Sequence, residues 1–229
     1  MRDFNCIPNY ACLLCNQFSN IPICEYCKND TLFFNAMDYP ANLLHRPDIA
    51  KGVRHTAFHI LRACGAFGWP FDTLIHKLKF NGNILSAKVL AQWFCENCID
   101  SATPLPECLL PVPIHFARYF KRRYNQSVAL ADFISRDLGI PVRTQWSQRV
   151  AGQAQHQLNR AERLLNLRKA FKVLPIKSYG RVAIIDDVVT TGCTVDVLCR
   201  QLRQQQPGIQ IEVWAMAVTP SPQQRRLAV

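Results

Sequence analysis

The chain is short of acid and short of glycine. Its 229 residues carry 16 Asp+Glu against 27 Lys+Arg, for a formal net charge of +11, and only 9 Gly. No uninterrupted apolar stretch approaches the roughly 18 residues a membrane-spanning helix needs, so membrane insertion is not expected. The opening residues, Met-Arg-Asp-Phe-Asn-Cys, lack the apolar run of a secretory signal, so export is not expected and a cytoplasmic location is. The patterns G-x-x-x-x-G-K-[ST] and G-x-G-x-x-G are both absent, which argues against nucleoside triphosphate and dinucleotide sites. There is no internal repeat and no low-complexity segment. A hydrophobic fraction of 49% excludes a disordered chain and suits one full domain, or one domain with a small module.

Cysteine, by contrast, is plentiful, with 11 residues. Without export, an odd number of cysteines reads as thiols or metal ligands in preference to a disulfide framework. Cys12-x2-Cys15 and Cys24-x2-Cys27 are separated by eight residues. A two-residue spacer lets a knuckle turn aim both sulfurs at one ion, and two such turns complete a tetrahedral thiolate shell for zinc. So small a segment cannot build a core, so the metal would supply folding energy, and a shell filled by protein is structural, not catalytic. Cys95-x2-Cys98 lies inside a helical pattern with no second pair nearby and reads as core or surface thiols. Cys64, Cys108, Cys193 and Cys199 read as small buried residues, while Cys6 is less naturally spaced as a ligand, and His45, His55 and His59 show no ligand spacing to a cysteine pair.

The positive charge is concentrated. Between Leu110 and Arg181 there are fourteen Lys+Arg and three acids, and outside that stretch the two signs balance. Charge confined in this way points to a polyanionic partner, phosphate or nucleic acid, the plainer alternative being a solvated basic surface. Within it, the run from His115 to Tyr124 interleaves Phe116, Tyr119 and Phe120 with Arg118, Lys121, Arg122 and Arg123. Single-stranded nucleic acid is held by cations that track phosphates and by rings that stack on bases. The competing reading buries the rings in the core and leaves the cations to a small phosphate ligand.

Along the chain, a cysteine-rich module (1–35) is followed by a connector of weak periodicity (36–65) and an α/β body (66–229). Phe71, Leu74, Ile75 and Leu78 have helical spacing and run into an Asn81-Gly82 turn; a second helix is expected from Leu85 to about Cys98. Cys108–Val112 reads as a short buried strand, Asn125–Leu138 as a helix ending at Gly139, and the surroundings of Val142 as a further short strand. Arg181–Asp186 is the clearest strand, with a helix over 194–204 and a last strand over 209–218. Alternating strands and helices indicate a mostly parallel sheet.

The most informative stretch is Val182-Ala183-Ile184-Ile185-Asp186-Asp187-Val188-Val189-Thr190-Thr191-Gly192-Cys193-Thr194. A buried strand delivers two carboxylates to its C-terminal end, where open α/β sheets bind ligands. The hydroxyl-rich loop behind them opens a helix whose free N–H groups and dipole favour phosphate. Carboxylates repel a bare phosphate, so they need ribose hydroxyls or a magnesium ion to act on. A 5-phosphorylated ribose satisfies both halves; the plainer alternative is an Asp-capped turn.

That run resembles the phosphoribosyl-pyrophosphate (PRPP) signature of type I phosphoribosyltransferases. The cysteine module, Leu74-Ile75-His76-Lys77-Leu78-Lys79-Phe80, Pro111-Val112-Pro113, Arg122-Arg123-Tyr124-Asn125-Gln126-Ser127 and Gln157-Leu158-x2-Ala161-x-Arg163-x2-Asn166 narrow the resemblance to the ComF/GntX family. The resemblance implies a three-layer α/β phosphoribosyltransferase fold with an N-terminal zinc module. It also implies that Asp186 and Asp187 meet the ribose hydroxyls and Mg2+, and that Thr190, Thr191, Gly192, Cys193 and Thr194 hold the 5-phosphate. Arg118, Lys121, Arg122 and Arg123 would face pyrophosphate or DNA, and Arg160 and Arg163 would lie on the segment that covers the site. Two positions depart from the family: Cys193 stands where Ser or Ala is frequent, and Arg123-Tyr124 replaces Gly-Phe. The implied function is a competence protein that binds PRPP with Mg2+ and handles single-stranded DNA during natural transformation, with proteins of the uptake machinery as partners. An active phosphoribosyltransferase and a PRPP-sensing regulator without turnover are the alternatives; no acceptor pocket is visible in the sequence.

Overall fold

The computed structural model describes residues 11–34, 41–53, 57–100, 102–149 and 170–221, without the side chains of Ala117, Arg118 and Lys121. Its centre is a four-stranded parallel sheet of β1 (Ile60–Ala66), β2 (Cys108–Pro111), β5 (Arg181–Val189) and β6 (Gln210–Val218), in the spatial order β1-β6-β5-β2. Strand periodicity sorts the side chains of β5 between two cores: Val182 and Ile184 enter one, Ala183 and Ile185 the other. The same alternation sends Ile211, Val213 and Ala215 of β6 to the first core and Trp214 and Met216 to the second. A sheet apolar on both faces must be covered on both, which is why the central strands read as continuous hydrophobic runs.

One cover is helical: α3 (Phe71–Asn81), α4 (Ile84–Cys98) and α6 (Gln126–Leu138). Leu74, Ile75 and Leu78 of α3 and Leu130 and Ile134 of α6 supply buried stripes at helical spacing. Local signals set the ends. Gly82 (φ 65°) and Gly139 (φ 71°) close α3 and α6 in the left-handed region, while the Asn83 and Asn125 side chains cap α4 and α6. The opposite cover is α7 (Cys193–Gln205) with an antiparallel pair, β3 (Ser147–Arg149) and β4 (Phe171–Val173). Gln201 and Gln205 of α7 tie that pair down by side-chain bonds to the Phe171 and Val173 backbone. The result is the mixed α/β, phosphoribosyltransferase-like three-layer fold expected from the sequence.

The cysteine module, with the short helix α1 (Glu25–Asn29), packs on the α3–α4 side. Phe33 meets Phe71 and Trp93 edge-on at 5.9 and 5.1 Å, and the Phe34 N–H donates to the Cys64 carbonyl of β1 at 2.7 Å. The connector (36–65) is less plain than expected. It contains α2 (Pro47–Ala50), and its residues from Ile60 onward form β1, an edge strand paired with β6. A helix was likewise not anticipated over Phe116–Arg122 (α5). Val142 makes only an isolated parallel bridge to Leu109, beyond the edge strand β2.

At the N-terminal end of the sheet, Glu212 is almost fully buried and accepts from Arg62 Nε (3.3 Å), Trp214 Nε1 (2.8 Å) and Arg181 Nη1 (3.4 Å). Arg62 also donates to the Cys98 carbonyl at the end of α4. This network locks three strands and one helix together, and it leaves the opposite edge of the sheet to the two aspartates. Among the described residues no helix is long and apolar enough to cross a membrane.

Candidate functional site at the carboxyl edge of the sheet

Two concavities meet where β5 ends. The smaller, of about 40 Å³, is lined by the loop from Val189 to Thr194 and by Asp186. The larger, of about 470 Å³, contains both aspartates and Thr194. Across it stand Lys79 and Phe80 from the end of α3, Arg122 from the end of α5, and Ser127 from the start of α6.

The strand alternation that buries Ala183 and Ile185 against the helical layer places Asp187 on that same face, where it is buried. There Lys79 Nζ lies 2.7 Å from Asp187 Oδ2. Asp186 Oδ1 accepts the Asp187 N–H at 2.9 Å and the Ser127 hydroxyl at 3.4 Å. Burial, then the neighbouring Asp187 carboxylate, push the Asp186 carboxyl up to about 7, against the smaller opposing pull of the Asp187 N–H, Lys79 and Ser127.

The loop after the acid pair turns at Gly192, whose φ of 74° lies in the left-handed region. A Cβ there would also sit 2.9 Å from Val53 Cγ1, so conformation and space both demand glycine. Past it α7 begins, and its first-turn N–H groups have no intrahelical acceptor. Thr191 Oγ1 donates to Cys193 Sγ at 3.2 Å. Asp196, one turn into α7, accepts from the Ala57 N–H at 2.8 Å and so ties Ala57 to the start of that helix.

The opposite wall is anchored by Asn125, which accepts the Ser127 N–H at 3.0 Å and donates to the Val112 carbonyl at 2.9 Å, joining the start of α6 to the end of β2. Arg122 donates to Gln126 Oε1 at 3.0 Å and lies 5.2 Å from the centre of the Phe80 ring. Arg123 is exposed and does not line the cavity; its φ of 63° is left-handed, at the position where the family pattern has glycine. The rings of α5 are not core residues: Phe116, Tyr119 and Phe120 are 69%, 48% and 65% exposed, and Phe116 and Phe120 meet at a tilt with centroids 4.4 Å apart. The side chains of Arg118 and Lys121, and the whole of Arg160 and Arg163, lie outside the described residues. Lys79, Phe80 and Ser127 belong to the cavity; all three stand in motifs that carry the family resemblance, but sequence alone assigned none of them a role in the site.

In the N-terminal module the four sulfurs of Cys12, Cys15, Cys24 and Cys27 lie within 4.8 Å of one another. The Leu14 and Cys24 N–H groups donate to Cys12 Sγ, each at 3.4 Å. Burial opposes ionisation of Cys12, yet backbone N–H groups outweigh it and bring the thiol down to about 6. Burial and the neighbouring thiols push Cys27 up. Such a group of sulfurs is costly as four thiolates alone and can hold a tetrahedral metal ion such as zinc.

The Asp186 shift sets a pH dependence. A carboxyl that titrates near 7 when folded and near about 4 when unfolded binds more protons in the native state between those values. Stability should therefore fall as pH rises from about 4 to about 7, then level off. In urea denaturation without divalent cations, Asp186→Asn should remove a slope worth on the order of 1–3 kcal/mol. A variant curve that runs parallel to wild type from pH 5 to pH 8 would contradict it.

No model of a known protein family matches the chain. Competence protein F of Haemophilus influenzae is 30% identical over 219 residues, which cover 91% of this chain and 90% of that protein. The DNA utilization protein YhgH of Salmonella typhi is 33% identical over 156 residues, 66% of this chain and 68% of its own. YhgH of Escherichia coli K12 is 28% identical over 225 residues, covering 91% and 96%. With 30% identity across nine-tenths of both sequences, the chain belongs to the ComF family, that of competence protein F.

Proposed function

We propose that the protein binds PRPP with Mg2+ at the carboxyl edge of its sheet and handles single-stranded DNA along the neighbouring α5, serving DNA uptake in competence. The observation that carries this reading is the juxtaposition of the acid pair, the hydroxyl-rich loop and Arg122 around adjoining concavities. The Thr190–Thr194 loop offers N–H and hydroxyl donors to a 5-phosphate. Asp186 and Asp187 supply hard oxygen donors that suit ribose hydroxyls and a hard divalent cation, and their mutual repulsion is what such a cation relieves. Arg122, oriented by Gln126 at the cavity wall, would pair with pyrophosphate. The names of the relatives, competence protein F and DNA utilization protein, agree with a DNA-linked role.

The apolar side of the cavity, where Phe80, Val112 and Ile114 stand, favours turnover as a second reading. There a base or amine would attack C1 of the ribose and displace pyrophosphate. Bound Mg2+ would offset the charge of the leaving group. On this chain's side, Arg122 would hold that group and the acid pair would orient the ribose. In the N-terminal module, Cys12, Cys15, Cys24 and Cys27 would hold a structural Zn2+.

Three measurements test these assignments. PRPP with Mg2+ should raise the melting temperature of wild type, and Asp187→Asn should abolish the shift; a retained shift would overturn the assignment. Replacing Phe116 and Phe120 by alanine should weaken binding of a short single-stranded oligodeoxynucleotide by roughly 5- to 150-fold per stacked base, with affinity falling steeply as salt rises. Unchanged affinity would leave α5 without a DNA role. Metal analysis should find about one zinc per chain, lost in Cys24→Ser, because a single tetrahedral thiolate site needs all four sulfurs; a folded, zinc-free wild type would refute the site.

A further inference from the structure

The cavity carries its own counter-ion. Lys79 lies in the last turn of α3, two residues before the helix ends at Asn81. Its ammonium does not extend into solvent. It reaches Asp187 Oδ2 at 2.7 Å, and the side chain is 23% exposed along the cavity wall. Among the described residues Lys79 is the cation paired with the acids, while Arg122 and Arg149 face the same cavity.

We infer that Lys79 is an exchangeable counter-ion that couples divalent-cation binding to binding of a polyphosphate anion. The inference rests on the phosphoribosyl reading of this site and assigns a positioning residue within it. A cation bound through Asp187 and an ammonium 2.7 Å from the same carboxylate repel each other across a short, poorly screened gap, so both cannot hold the acid at full strength. Metal without anion must therefore displace Lys79 into a cavity whose described lining holds no acid besides the metal-bound pair. Metal with a diphosphate gives the displaced ammonium a new partner, because its flexible four-carbon stem lines the cavity in which that anion would sit. Each ligand then binds better in the presence of the other, and linkage makes the enhancement equal in both directions. The arrangement also explains how two adjacent carboxylates persist at this edge in the empty protein.

The test uses full-length protein with Mn2+ as a countable divalent probe and pyrophosphate or PRPP as the anion. In wild type, saturating pyrophosphate should raise Mn2+ affinity by a coupling factor between about 5- and 150-fold. Lys79→Met should bind Mn2+ alone at least about tenfold more tightly, bind pyrophosphate more weakly, and bring the coupling factor close to one. Lys79→Arg should retain part of the coupling. A Lys79→Met protein whose affinity for Mn2+ alone is unchanged or weaker would overturn the inference, as would wild type without coupling, a measurement that needs no variant to fold. The two readings fail separately. If PRPP does not stabilise wild type yet Lys79→Met gains Mn2+ affinity, the counter-ion role stands and the phosphoribosyl reading falls. If PRPP binds both proteins alike, with the same Mn2+ dependence, the reverse holds.

Discussion

A strand buried on both faces cannot end in two carboxylates unless something receives them, and this constraint organises the upper half of the molecule. β5 is walled by apolar layers through Ile185, and the next two side chains are Asp186 and Asp187. Strand alternation turns Asp187 toward the helical layer, where Lys79 meets it, while Asp186 is held by the next N–H and by Ser127. Ser127 in turn depends on Asn125, which fixes the start of α6 to the end of β2. Each contact comes from a different element, so the acid pair is where α3, α6, β2 and β5 agree on one geometry.

The two ends of the sheet treat buried charge in opposite ways. At the N-terminal end Glu212 is enclosed by Arg62, Arg181 and the Trp214 indole, and Arg62 also satisfies a carbonyl at the end of α4. Breaking such a set by removing one partner typically costs about 3–5 kcal/mol, because the remaining charge stays buried. At the C-terminal end compensation is incomplete. Asp186 is pushed up to about 7 and the groups face a cavity. The first arrangement holds a fold together; the second leaves electrostatic demand that a bound cation and anion can meet.

What the sequence disclosed was what is local in it. The paired cysteines and the Asp-Asp-x2-Thr-Thr-Gly run are short patterns whose chemistry is fixed by spacing, and α3, α4 and α6 announce themselves by apolar period and by Asn and Gly at their ends. β1 escaped because Ile60-Leu61-Arg62-Ala63-Cys64-Gly65-Ala66 has small residues and a charge where a strand signal expects β-branched ones. It becomes a strand by pairing with β6, with Glu212 neutralising Arg62 and Phe71 packed against Gly65. The pairing of β3 with β4 joins segments of three residues each, too short for periodicity. Lys79 and Asp187 are more than a hundred residues apart, and nothing around Lys79 distinguishes it from Lys77 except helical phase. Among its described side chains α5 shows no buried stripe, because its rings are exposed, so hydrophobic period could not have found it.

Arg123 shows how the rim of the site differs in kind from its floor. At Gly192 the left-handed backbone comes with Val53 pressed against the missing side chain, so the floor of the site admits only glycine. At Arg123 the backbone is equally left-handed, yet a large cation is present, exposed and outside the cavity. Holding a non-glycine residue there costs roughly 1–2 kcal/mol. The N–H of Arg123 remains bonded to the Tyr119 carbonyl at 2.6 Å, so the turn itself is satisfied and the cost lies in the side chain alone. Cavity chemistry gains nothing from that cation. On α5 itself Phe116, Tyr119 and Phe120 stand exposed to solvent, and the Arg122 guanidinium lies over the ring of Phe80. If α5 holds DNA as proposed above, a cation kept at conformational cost at its end has a long polyanion outside the cavity to meet.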